Sequence, residues 1–194
     1  DELLHAGHEA VRVERVLPEA IGVVAGEHQV LLERAVMGDI DLDPASCELA
    51  NQTVLAGQFY TAAENGLKQV WAGRVWLNPP YGMTDDGGSS QGAWSARLIR
   101  AWEAGEIEEA ILLVNAATAQ RWFAPLWQYP ICFTDHRIRF ISPNGDKDQP
   151  PHGSVFVYFG NHPDRFAQVF AQFGPVVVRV VQQDRGVKLD LINA

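Results

Sequence analysis

Cysteine is scarce in this 194-residue chain, with two in all. That excludes a disulfide framework, and their spacing gives no zinc motif. Cys47 and Cys132 each sit in an apolar setting and read as small core residues of a protein kept in a reducing cytoplasm. Long hydrophobic runs are also missing: none approaches the roughly 18 residues of a membrane span, and no signal peptide is visible. Because the chain opens on Asp1 rather than Met, its natural start is expected to be missing. Cations are in short supply, 15 Lys and Arg against 24 Asp and Glu, for a net charge of −9. This argues against a protein that binds nucleic acid chiefly by coating phosphates, but leaves room for one that grips a few nucleotides with a local basic face. The charge shifts mildly between residues 121 and 152, where Arg121, Arg137, Arg139 and Lys147 stand against Asp135, Asp146 and Asp148. A glycine-rich phosphate loop is lacking, so a dinucleotide is not expected. His5, His8 and Glu9 have the spacing of ligands on one helix face, but no further His-rich element follows. They read as a solvated face, and no metal is expected.

What the chain does have is a normal globular balance, 47% hydrophobic and 20% charged, and length enough for one domain over residues 1–194. Its organising stretch is Asn78-Pro79-Pro80-Tyr81, which follows the strand-like Arg74-Val75-Trp76-Leu77. Two prolines end the strand, since neither donates to a sheet ladder. They leave a rigid corner with one amide and one aromatic ring. A planar ring with an exocyclic amine needs acceptors for its N–H groups and a flat face to stack on. Asn78 and the Pro79 carbonyl offer the acceptors, and Tyr81 the face. A second stretch, Asp39-Ile40-Asp41-Leu42-Asp43-Pro44, alternates acid and apolar residues as a strand does. Asp43 and Pro44 are placed to cap a helix over 44–55. Carboxylates where a buried strand opens into a helix suit ribose hydroxyls and a positive charge. S-adenosylmethionine is a ligand of that kind.

Elsewhere the pattern predicts a helix from Glu27 to Met37, stopped by Gly38, and a Gly/Ser/Asp-rich loop over 82–92 that would serve as a lid. It predicts a helix around Trp94–Trp102, a strand over Ala110–Val114, and a helix capped by Thr118. Short strands follow at Ile131–Thr134 and Arg137–Phe140, then a strand at Val155–Phe159, a helix capped by Asn161, and a last strand at Val176–Val181. Residues 1–26 read as a weakly defined arm and 182–194 as a frayed tail. Strands alternating with helices indicate an α/β fold with a central, mostly parallel sheet flanked by helices. The last two strands are expected to pair antiparallel at an edge.

The ordered set of motifs resembles the phage-type DNA N-6-adenine methyltransferase (Dam-like) family. It comprises Met37-Gly38-Asp39-Ile40-Asp41-Leu42-Asp43-Pro44-Ala45-Ser46, Ala50-Asn51, Asn65-Gly66-Leu67, Trp71, Gly73 through Gly82, the Ala110–Val114 strand, Trp122-Phe123, Arg137-Ile138-Arg139-Phe140 and Gly153-Ser154. The resemblance implies a Rossmann-like methyltransferase fold, S-adenosylmethionine as donor, and site-specific transfer to N6 of adenine in DNA. Such transfer proceeds by base flipping and direct in-line attack. It implies Asn78, Pro79, Pro80 and Tyr81 as the catalytic corner, and Asp41, Asp43, Pro44 and Asn51 on the cofactor side. Arg137, Arg139 and Lys147 are the basic residues expected to meet DNA. It implies a bacterial cytoplasm and a phage or prophage origin. Members carry an aromatic-Thr-Pro element ahead of the acidic strand, where this chain has Gly26-Glu27-His28-Gln29-Val30. Two alternatives stand beside this reading: the same chemistry on RNA or a protein glutamine, and an inactive DNA- or partner-binding module of the same fold.

Overall fold

The computed structural model describes residues 27–138 and 152–179, with side chains described from residue 32 onward. The N-terminal arm with His5, His8 and Glu9, and the 182–194 tail, lie outside the described residues. The predicted first helix is α1 (Glu27–Met37), stopped by Gly38 at φ 87, a left-handed conformation that glycine adopts without steric cost. After it come β1 (Leu42–Asp43), α2 (Glu48–Val54) and β2 (Gln58–Phe59). Next are β3 (Arg74–Leu77), α3 (Ser90–Glu103) and β4 (Glu109–Asn115). β5 (Ile131–Phe133), β6 (Ser154–Phe159), α4 (Pro163–Phe170) and β7 (Val176–Val177) complete the set.

One seven-stranded sheet runs in the order β2-β1-β3-β4-β6-β5-β7. It is mixed, not mostly parallel as expected. The β1, β2, β3 and β4 pairings are parallel, whereas β6 lies antiparallel between β4 and β5, and β7 is antiparallel to β5. β6 takes an interior place in the sheet, and its six residues are all buried. A run that is apolar on both faces is satisfied only inside a sheet. The last two strands therefore do not pair with each other, because β5 separates them.

The sheet's two faces carry two cores. Trp76, Ile111, Leu113, Phe156 and Tyr158 face Val36 and Met37 of α1, Val54 of α2, and Phe166 and Phe170 of α4. Leu42, Val75, Leu77, Leu112 and Val157 face Trp94, Leu98 and Ala101 of α3. The alternation is the period of two that a pleated strand imposes.

Three capping expectations are corrected. Asp43 does not open α2; the N-cap is Cys47, whose Sγ accepts the Ala50 N–H at 3.3 Å. Residues 44–46 are held elsewhere, with the Ser46 N–H donating to the Tyr60 carbonyl at 2.9 Å. Leu55, the last residue of the expected helix, is the exposed left-handed end of α2 at φ 53. The helix expected after Thr118 is only a 3-10 turn at Ala124–Gln128, with Pro125 early in it. α4 starts from His162 rather than Asn161, with Pro163 in its first turn.

Candidate active site

β3 carries Val75, Trp76 and Leu77 into full burial and ends at the proline pair. Asn78 is only 3% exposed, Pro79 is buried, and Pro80 and Tyr81 are half-buried. Tyr81 packs against the α1-side core. The stretch expected to form a lid is pinned by backbone bonds: Thr84 N–H to Gly88 O and Gly87 N–H to Thr84 O, both 2.8 Å, and Ser90 N–H to Gly82 O at 3.0 Å. Met83 and Ser89 form a bridge, and Ser89 Oγ caps α3 by accepting the Gly92 N–H at 3.2 Å. The corner is thus followed by a closed turn and a helix start.

The acidic stretch divides between two ends of the sheet. Asp43, the last residue of β1, lies at the carboxyl end, 3% exposed, with Oδ1 accepting the Ala45 N–H at 3.2 Å. This short bond is an Asx-type turn, the local use of Asp that competes with helix capping. Burial pushes its carboxyl up to about 7, against the opposing pull of the Ser46 hydroxyl and the Ala45 amide. Pro44 follows, buried, and Gly66 presses on it: a Cβ at Gly66 would stand 1.9 Å from the Pro44 carbonyl oxygen.

Asp41 stands at the opposite, amino end. Its Oδ2 accepts Arg74 Nε–H at 2.7 Å and the Arg74 backbone N–H at 2.8 Å, and its Oδ1 accepts Arg74 Nη2–H at 2.9 Å. These bonds hold its carboxyl below the usual range. Asn51 is also committed: Oδ1 accepts the Ala56 N–H at 2.8 Å and Nδ2 donates to the Ala56 carbonyl at 3.2 Å. The structure thus brings Asp43 and Pro44 to the end of the sheet that holds Asn78, Pro79, Pro80 and Tyr81. It does not bring Asp41 or Asn51 there. The two aspartates share a face by alternation, and the strand's ends decide their surroundings.

Three residues join this end to which the sequence reading gave no role at the site. Asn115 closes β4 and Ser154 opens β6, directly opposite each other in the antiparallel register. By alternation from Ile111 and Leu113, and from Phe156 and Tyr158, both side chains lie on the α1 face. Asp43, one position on from Leu42, and Asn78, two on from Trp76, continue the same row. The third is Glu33 of α1, fully buried, with neither carboxylate oxygen hydrogen-bonded. Burial first, and then the charge of Asp43, raise its pKa well above the usual carboxylate range, with Arg34 pulling the other way. Asn115 did have a signal: the apolar run Ile111–Val114 ends in Asn just as Val75–Leu77 does. Glu33 had none, since a lone Glu in an amphipathic helix reads as solvent-facing.

Among the residues expected to meet DNA, Arg137 is exposed in the segment that leaves the carboxyl end of β5. Arg139 and Lys147 lie outside the described residues. A groove between Met83–Ser89 and Ala119–Trp122, which include the exposed Arg121, borders the corner's closed turn. Among the described residues no three His, Cys, Asp or Glu side chains cluster as a metal site, and no helix is long and apolar enough to cross a membrane.

No curated protein and no solved structure matches the chain. A family model does, across residues 31–180, from within α1 to beyond β7. The chain belongs to the DNA N-6-adenine-methyltransferase (Dam) family.

Proposed function

We propose that this protein transfers a methyl group from S-adenosylmethionine to N6 of adenine in DNA, with the target base flipped out of the duplex. The observation that carries the reading is the row at one end of the sheet: buried Asp43 on β1 beside the Asn78-Pro79-Pro80-Tyr81 corner on β3. Leu42 pairs with Val75, so Asp43 stands two residues short of Asn78 on the neighbouring strand, about 8 Å away by strand geometry.

The residues present fit the donor. Asp43 and Glu33 put two buried carboxylates beside the corner, and Glu33 has no hydrogen-bond partner. Buried acids of that kind call for a positive charge. Asp43, with Pro44 shaping the turn, holds the cationic donor, and Phe59 at the end of β2 is paired in register with Asp43. When bound, the donor supplies an electrophilic methyl on a sulfonium.

The chain's own groups prepare the acceptor. Adenine N6 is a poor nucleophile because its lone pair is delocalised into the ring. Asn78 Oδ1 and the Pro79 carbonyl accept its two hydrogens and draw the nitrogen toward a tetrahedral shape, which frees the lone pair for in-line attack. Tyr81 stacks on the ring. No charged base is required for the attack, because the gain comes from positioning and fixed dipoles, and the proton that N6 sheds on methylation passes to solvent. The amine edge is inaccessible in a stacked duplex, so the base leaves the stack. Arg137, exposed after β5, meets the phosphates that flank it. The decisive experiment incubates the protein with donor and duplex DNA, digests the DNA to nucleosides, and looks for N6-methyladenine by mass spectrometry. Donor binding without methylated nucleoside would overturn the DNA reading, and RNA or glutamine acceptors tested alongside would show what replaces it.

A further inference from the structure

We infer that Asn115 and Ser154 tell adenine from cytosine. The inference rests on the reading just given and extends it to the far edge of the base. The corner recognises an exocyclic amine, and cytosine carries one too, so a second contact must report the purine. The acceptor that a purine adds beside its amine is N7.

The register puts a polar pair where N7 would lie. Leu77 pairs with Leu112, so Asn78 is level with Leu113, and Asn115 stands one strand over and two residues farther out. Strand geometry sets that separation at about 8 Å between Cα atoms. Two asparagine side chains standing side by side on one face at that spacing leave room for the edge of one purine ring. Asn115 Oδ1 and Ser154 Oγ are both buried, and neither has a hydrogen-bond partner. Buried polar atoms in that condition are uncommon and call for a reason. Asn115 and Ser154 are directly opposite on one face, where cross-strand Cβ atoms lie about 5 Å apart. A small rotation lets the Ser154 hydroxyl donate to Asn115 Oδ1. The Asn115 amide then turns its N–H toward the base and donates to N7. An asparagine amide is well matched to the N6/N7 edge of adenine. Asn115 is the specificity-determining contact, and Ser154 is a positioning residue that acts through it.

The test needs one methylated position, mapped first on plasmid DNA. Two duplexes are then compared, one with adenine at that position and one with 7-deazaadenine, which replaces the N7 acceptor by C–H. The unaltered protein should methylate the 7-deaza duplex about tenfold more slowly. Asn115→Ala should be slower on adenine by a similar factor and should treat the two duplexes alike. Asn115→Asp keeps the shape and loses the donor, so it too should show no preference, which guards against a merely misfolded alanine variant. Ser154→Ala should fall between. Equal rates of the unaltered protein on both duplexes would overturn the inference. So would an undiminished preference in both Asn115 variants. Failure of the unaltered protein to methylate any adenine duplex would overturn the underlying reading, and this one with it.

Discussion

Arg74 grips Asp41 with its guanidinium Nε and Nη2 and with its backbone N–H, and does so at the amino end of β3, away from Asn78. Three bonds from one residue to one carboxylate make a brace between β1 and β3. Gly73 makes room for it, since a Cβ there would lie 2.7 Å from Asp41 Oδ2. Asp41→Asn should lower stability by about 1 kcal/mol, a figure limited by solvent screening because the Asp41 side chain is 42% exposed. Donor affinity should not change. Urea unfolding and titration calorimetry measure the two separately, and a large loss of donor affinity in a stable variant would return Asp41 to the cofactor site.

Asp43 is the opposite case. Its carboxyl is pushed up to about 7 in the fold, against about 4 in an unfolded chain. Between those values the folded state binds the extra proton, so the group costs stability as pH rises from 4 and imposes its full cost above 7. Asp43→Asn has no such group. Its melting temperature, relative to the unaltered protein without donor, should climb steadily from pH 4 to pH 7. The same substitution should weaken donor binding at least about tenfold if one buried charge contact is lost. A flat difference across that pH range would mean that the carboxyl is solvated.

Asn78→Ala and Tyr81→Ala should each reduce methyl transfer by two orders of magnitude or more, on the order seen when one fixed transition-state dipole is removed. Far-UV circular dichroism should be unchanged, because neither residue belongs to a strand or helix. Rates with tritiated donor decide the matter. Near-normal transfer in both variants would remove the corner from the mechanism.

Gly66→Ala tests the floor under the corner. The added methyl would overlap the Pro44 carbonyl and come within 3.2 Å of Trp94. Overpacking of this kind typically costs about 1–3 kcal/mol. The strain falls on the turn after Asp43, so donor affinity should drop along with stability, whereas Asp41→Asn should lower stability alone. A stable variant with normal donor binding would show that the turn shifts freely.

The parts legible in the sequence were those that local chemistry decides. α1 could be bounded from an apolar stripe and a terminal glycine, and β3 from an apolar run ended by two prolines. Which end of β1 each aspartate occupies depends on a partner more than thirty residues away, so Asp41 and Asp43 looked alike. The mixed sheet was hidden for a related reason: a run such as Val155–Phe159 signals burial on both faces but carries no direction. Glu33 was hidden because its position in a helix gives no hint of what stands opposite. Cys47 read as core until the Ala50 amide was seen donating to its sulfur.

The antiparallel insertion of β6 bears on how this protein can change its target. β5 ends and β6 begins at the rim that holds Asn78, so the chain between Phe133 and Ser154 departs from that rim and returns to it. That connection is not uniform: Ile138 within it is buried in the core shared with α1 and α4, whereas Arg137 beside it is exposed. New sequence preferences should therefore be grafted at exposed positions such as Arg137, with Ile138 left in place, so that the methyl-transfer corner is not retuned.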